Sequence, residues 1–76
     1  MLTTDGLISY LKQTLNHPEA ELHGELFSSG ALDSVSMVNL LTYVEQSTGI
    51  TIRAEDVTLE NFDTPARILR FAEAAC

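Results

Sequence analysis

Phe27-Ser28-Ser29-Gly30-Ala31-Leu32-Asp33-Ser34-Val35-Ser36-Met37-Val38-Asn39-Leu40-Leu41-Thr42-Tyr43-Val44-Glu45-Gln46-Ser47-Thr48 starts as a turn and becomes a helix at a definite point. Gly30 supplies backbone freedom, and Asp33 is a good N-cap whose carboxylate accepts an amide hydrogen two or three residues on. Ser34 is thereby expected as the first helical residue. The first turn of a helix has unpaired N–H groups and the positive end of the macrodipole, so a phosphate ester on Ser34 would be well placed.

Two stripes run along this helix. Met37, Leu40, Leu41 and Val44 follow the i, i+3, i+4, i+7 spacing of a buried face. Val35, Val38 and Thr42 run down an adjacent side that is more apolar than a solvated face requires. That second stripe is either a docking surface or the edge of a broad core-facing helix. The helix is expected from Ser34 to about Ser47, with Gly49 at a left-handed C′ position.

Upstream, Thr3, Thr4 and Asp5 are N-cap candidates ahead of Leu7, Ile8, Leu11 and Leu15, which share one face and predict a first helix from about Asp5 to Leu15. Asn16, His17 and Pro18 end it, because a proline pushes the preceding residue out of the helical region. Residues 18–33 then form a long connection without periodicity, pinned by Leu22, Leu26, Phe27 and Leu32. A loop of that length in a compact domain is usually functional. Its acids Glu19, Glu21 and Glu25 read as solvated charge, since they lack the turn glycine of a calcium loop.

Downstream, Ile50-Thr51-Ile52 has no second strand to pair with and reads as an extended link whose isoleucines plug the core. Glu55 to Asn61 is expected to form a short, irregular third helix, and Thr64-Pro65 an N-cap and N1 pair. The final helix puts Ile68, Leu69, Phe71, Ala72 and Ala75 mostly on one face, with Arg67, Arg70 and Glu73 largely on the other. The expected fold is an all-α bundle of three main helices and one short one, with a long first loop, in a single domain over residues 1–76.

At 76 residues the core is small, which disfavours a deep site with several positioned catalytic groups. Hydrophobic residues make up 45% and charged residues 20%, too apolar for disorder. Eleven acids against four basic residues give a formal charge of −7. This argues against nucleic acid and anionic membranes as partners and favours proteins with basic patches. Cys76 is the sole cysteine and reads as a frayed terminal thiol, excluding an internal disulfide or a cysteine metal cluster. No apolar run is long enough to span a bilayer, and no leader is visible, so a cytoplasmic monomer is expected. Met1 and the compact length favour a free-standing protein.

Residues 27–35 resemble the attachment loop of the acyl and peptidyl carrier protein family: an aromatic, a glycine, an aliphatic, then Asp-Ser and another aliphatic. The similarity extends over most of the chain. It implies the four-helix carrier-protein bundle, no catalytic residues and no bound metal, and a 4′-phosphopantetheine arm on Ser34 in phosphodiester linkage. Asp33 would serve the modifying transferase alongside its metal ion. Leu32, Val35, Val38 and Thr42 would contact partners, and Leu32 and Phe27 would set the exposure of the serine. For Val35 and Val38, simple packing is an equal alternative.

The implied partners are a phosphopantetheinyl transferase, an adenylating acyl or aminoacyl ligase, and downstream acyl-transferring or tailoring enzymes. In fatty-acid carriers the second helix is strongly acidic, whereas here Ser36, Asn39 and Gln46 fill those positions and Glu45 is its only acid beyond Asp33. Thr58-Leu59-Glu60-Asn61-Phe62-Asp63-Thr64 looks more like peptidyl and aminoacyl carriers. The expectation is a carrier of an amino acid or specialised acyl unit in secondary metabolism or cell-surface modification. The alternatives are an acyl carrier of fatty acid synthesis and a non-enzymatic helix-docking module. A serine hydrolase using His17 or His23 has little support, because no strand leads into Ser34.

Overall fold

The computed structural model describes residues 2–75, so the expectation for Cys76 lies outside the described residues. The helices are α1 (Thr4–Gln13), α2 (Ser34–Thr48), α3 (Leu59–Phe62) and α4 (Pro65–Ala75), with a 3₁₀ turn at Ala54–Asp56. No strand occurs among the described residues. The all-α bundle is therefore as the periodicity predicts.

In α1, Thr3 Oγ1 accepts the Gly6 N–H at 3.0 Å, and Leu7 and Leu11 are fully buried. The helix stops two residues short of the expected Leu15. Asn16 takes a left-handed conformation at φ 54°, so the chain has already turned before Pro18 acts. Leu15 still packs half-buried against the core from beyond the helix end.

Between α1 and α2 the loop is anchored much as its apolar spacing predicts at Leu26 and Leu32, both buried, and at the half-buried Phe27. Leu22 differs. Its side chain is exposed, and the backbone does the anchoring, with its carbonyl accepting the Ala66 N–H at 2.9 Å. Ala20 enters the core instead. Glu19, Glu21 and Glu25 are exposed.

Helix α2 ends at Gly49, whose φ of 79° is left-handed and whose N–H reaches the Glu45 carbonyl at 2.8 Å. Leu40 and Val44 are fully buried, with Met37 and Leu41 half-buried against the same core. The Tyr10 and Tyr43 rings stack at 4.1 Å between centroids, and Tyr10 Oη donates to the Asn39 carbonyl at 2.9 Å, joining α1 to α2.

The link that follows is neither helix nor strand. Ile52 packs on the core, and Glu45 Oε2 accepts its N–H at 2.7 Å. The expected third helix is divided into the 3₁₀ turn and the single turn of α3, because Thr58 is extended and caps a new start, its Oγ1 accepting the Asn61 N–H. Phe62 at the end of α3 is fully buried, with its ring 5.2 Å from that of Phe71. Helix α4 packs on both α3 and α1, and its Ile68 and Ala72 are buried in the core. Ala75, expected on that buried face, is exposed at the helix end.

Candidate functional site

The site is the junction where the long loop enters α2. Asp33 has extended backbone angles (φ −112°, ψ −172°), which set its side chain back over the first turn, and Oδ1 accepts the Ser36 N–H at 2.9 Å. Its carbonyl accepts the Met37 N–H at 2.9 Å, closing the first helical hydrogen bond. Ser34 is the first residue of the 15-residue helix and is exposed. The Ser36 N–H, with further help from the Ser36 side chain, holds the Asp33 carboxyl below the usual carboxylate range.

Gly30 shapes the approach. It sits at φ 82° with its N–H bonded to the Phe27 carbonyl at 3.1 Å. Leu32, two residues later, donates its N–H back to the Leu26 carbonyl at 2.8 Å. The loop thus closes on itself between two buried leucines just before Asp33.

Of the residues expected to face partners, Val35, Val38 and Thr42 are on the exposed side of α2, with Val35 70% and Val38 62% accessible. The broad core-facing alternative for these valines does not hold. Leu32, expected among them, is instead a core residue, 6% accessible, and does not share their exposed face. It is buried because its side chain, like that of Leu26, points inward from the closed loop.

A residue that the sequence reading passed over fixes this loop from outside. Asp63, between α3 and α4, is only 4% accessible. Its Oδ1 accepts the Phe27 and Ser28 N–H groups, both at 2.9 Å, and Oδ2 accepts the Ser28 hydroxyl at 2.7 Å. Its carbonyl accepts the Leu26 N–H. Burial pushes the Asp63 carboxyl up, but the Ser28 hydroxyl and N–H, the Phe27 N–H and the Arg67 charge together hold it below the usual range. An acid between Phe62 and the Thr64-Pro65 helix start was the available signal, and it does not name its partners.

No group of three metal-ligating side chains comes together among the described residues. His17 lines an open depression with Glu19, Glu21, Glu25 and Ser29. With no strand before Ser34 there is no nucleophile elbow among the described residues. What the junction offers is an accessible hydroxyl on a capped helix start.

The family model for the phosphopantetheine attachment site matches residues 5–72. The chain belongs to the phosphopantetheine-attachment family. Its cofactor is accordingly 4′-phosphopantetheine, covalently carried on a serine. A D-alanyl carrier protein of Enterococcus faecalis (strain ATCC 700802 / V583) is 38% identical over 50 residues, 66% of this chain and 64% of that protein. The match thus spans less than two thirds of that relative's length. No solved structure gives a significant match. The junction suits the family's group: the serine is accessible, and the helix start behind it favours a phosphodiester charge.

Proposed function

We propose that Ser34 bears the phosphopantetheine arm and that the protein carries an amino acid, D-alanine or one like it, as a thioester. When attached, the arm supplies the thiol on which the acyl group is held. The observation that carries this reading is the exposed Ser34 at the Asp33-capped start of α2 in a chain of this family. The D-alanyl carrier relative and the neutral face of α2 both favour an aminoacyl cargo over a fatty one.

In this reading the protein is a substrate of other enzymes and not itself a catalyst. A phosphopantetheinyl transferase modifies Ser34, with the Asp33 carboxylate placed beside the transferase's metal ion. An adenylating ligase loads the arm, and acyl-transferring enzymes remove the cargo, docking on Val35, Val38 and Thr42. Tethering raises the local concentration of the acyl group at each enzyme.

Incubation with a phosphopantetheinyl transferase and coenzyme A is expected to add one pantetheinyl phosphate mass to the intact protein, and Ser34→Ala to abolish it. Adding candidate ligases, ATP and single amino acids then identifies the cargo by mass. An unmodified wild-type protein, or acceptance of malonyl units alone, would overturn the respective parts of the reading.

A further inference from the structure

The loop that delivers Ser34 to α2 is held by a chain of contacts starting at the corner between α3 and α4. Asp63 takes the backbone of three consecutive residues: Leu26 through its carbonyl, Phe27 and Ser28 through its carboxylate, which also takes the Ser28 hydroxyl. Leu26 is fully buried and passes the restraint on, since its carbonyl accepts the Leu32 N–H at 2.8 Å. Asp33 and Ser34 follow directly.

Resting on the attachment role proposed for Ser34, we infer that Asp63 is a positioning residue for modification of this serine, acting through Leu26 and Leu32 to fix the entry of the loop into α2.

The geometry favours this over a purely structural role. A carboxylate needed only to satisfy local donors would have served with the backbone of α4, as Thr64 Oγ1 does for the Arg67 N–H at 3.1 Å. Asp63 instead reaches residues 35 and 36 positions away in sequence, and every bond of its carboxylate goes to the loop. Within the loop, the Gly30 N–H to Phe27 and Leu32 N–H to Leu26 bonds and the Ser29 hydroxyl to the Glu25 carbonyl close the turn on itself, while the Phe27 and Ser28 N–H groups and the Ser28 hydroxyl are held by Asp63 from outside the loop. A transferase acting on Ser34 needs the hydroxyl in one place. Small displacements of a reacting atom lower the rate far more than they lower the stability of the fold.

The test compares wild type, Asp63→Asn, Ser28→Ala, Ser28→Thr and a control, Ala72→Gly, which weakens α4 while leaving every hydrogen-bond partner between Asp63 and the loop in place. Each is loaded by a phosphopantetheinyl transferase with coenzyme A at a temperature where circular dichroism shows it folded. Amide exchange at Phe27, Ser28 and Leu32 is followed in parallel. Asp63→Asn is expected to lower kcat/KM for loading at least tenfold and to speed exchange at Leu32. Ser28→Ala should lower it severalfold, and Ser28→Thr, which keeps the hydroxyl, should restore it. Ala72→Gly should lose thermal stability but load at the wild-type rate.

Normal loading of folded Asp63→Asn and Ser28→Ala, or a loss in Ala72→Gly as large as theirs, overturns the inference. So does unchanged Leu32 exchange in both loop variants. If Asp63→Asn does not fold, the Ser28 pair decides. Failure of wild type itself to load would instead remove the attachment reading on which the inference rests.

Discussion

Asp33 has two separable tasks, one toward its own helix and one, in the proposed function, toward an enzyme. The cap needs an oxygen that accepts the Ser36 N–H, which asparagine supplies as well as aspartate does. The transferase's metal needs a carboxylate. Asp33→Ala is expected to cost about 1 kcal/mol of stability in urea denaturation. Asp33→Asn should stay within about 0.5 kcal/mol of wild type, because the cap is retained. Its loading by a phosphopantetheinyl transferase should nevertheless fall sharply, and unchanged loading would show that the charge is not used. Gly30 and Gly49 give a cleaner case of backbone energetics. At either position an added Cβ meets nothing within 4 Å, while φ is 82° and 79°. Alanine there pays no steric penalty with neighbours and is expected to cost about 1–2 kcal/mol from the left-handed conformation alone. Matching losses at the two sites would confirm that origin.

At the scale of elements, Asp63 joins the α3–α4 corner to the loop before α2, and its ionisation is linked to stability. Its folded carboxyl is held below the ordinary value, so the unfolded chain takes up the proton first as pH falls. The stabilisation is complete above the unfolded value of about 3.9 and is lost as pH falls through the folded value. The stability difference between wild type and Asp63→Asn should therefore be constant from neutral pH to about pH 5 and shrink below it. Urea midpoints across that range measure this, and a difference that grew in acid would contradict the geometry. Helix α1 carries a second constraint, at Gly6. A Cβ there would lie 2.9 Å from Thr3 Oγ1, the cap oxygen, and 3.2 Å from Tyr43 Oη. Gly6→Ala is thus expected not to deliver the roughly 1 kcal/mol that alanine usually gains in a helix. These elements also mark where sequence reading stops. The buried stripe of α2, its Asp33 and Gly49 caps and the Thr64-Pro65 start of α4 are local patterns and were legible. The contacts of Asp63, the Tyr10–Tyr43 stack and the crowding at Gly6 are long-range pairings, which no local period encodes. The exact end of α1, at Gln13 and not Leu15, and the role of Leu22 were misread for a related reason: a left-handed turn at Asn16 and a backbone carbonyl anchor leave little trace in hydropathy.

For the molecule as a whole, charge is the dominant unbalanced term. Eleven acids face four basic residues, and of those acids α2 contains only Glu45, whose carboxylate is engaged with the Ile52 N–H. The negative charge is therefore concentrated off the face that presents Val35 and Val38. Self-repulsion among like charges destabilises the compact state, and salt screens it, shortening the screening length from ~10 Å at 0.1 M to ~3 Å at 1 M. The attractive pair most exposed to the same screening, Arg53 with Glu55 at 3.1 Å, has side chains about 70% accessible and is worth little. Repulsion thus has more to lose than attraction, and the thermal midpoint should rise with sodium chloride. In the proposed function, docking through the neutral face of α2 would rest on apolar contact, which added salt does not weaken. The KM for transferase loading should then change less than threefold over a range of salt in which the melting temperature climbs. A falling midpoint would mean that attractive pairs dominate the charge balance, and a steeply rising KM would place the contact on the acidic surface instead of on Val35 and Val38.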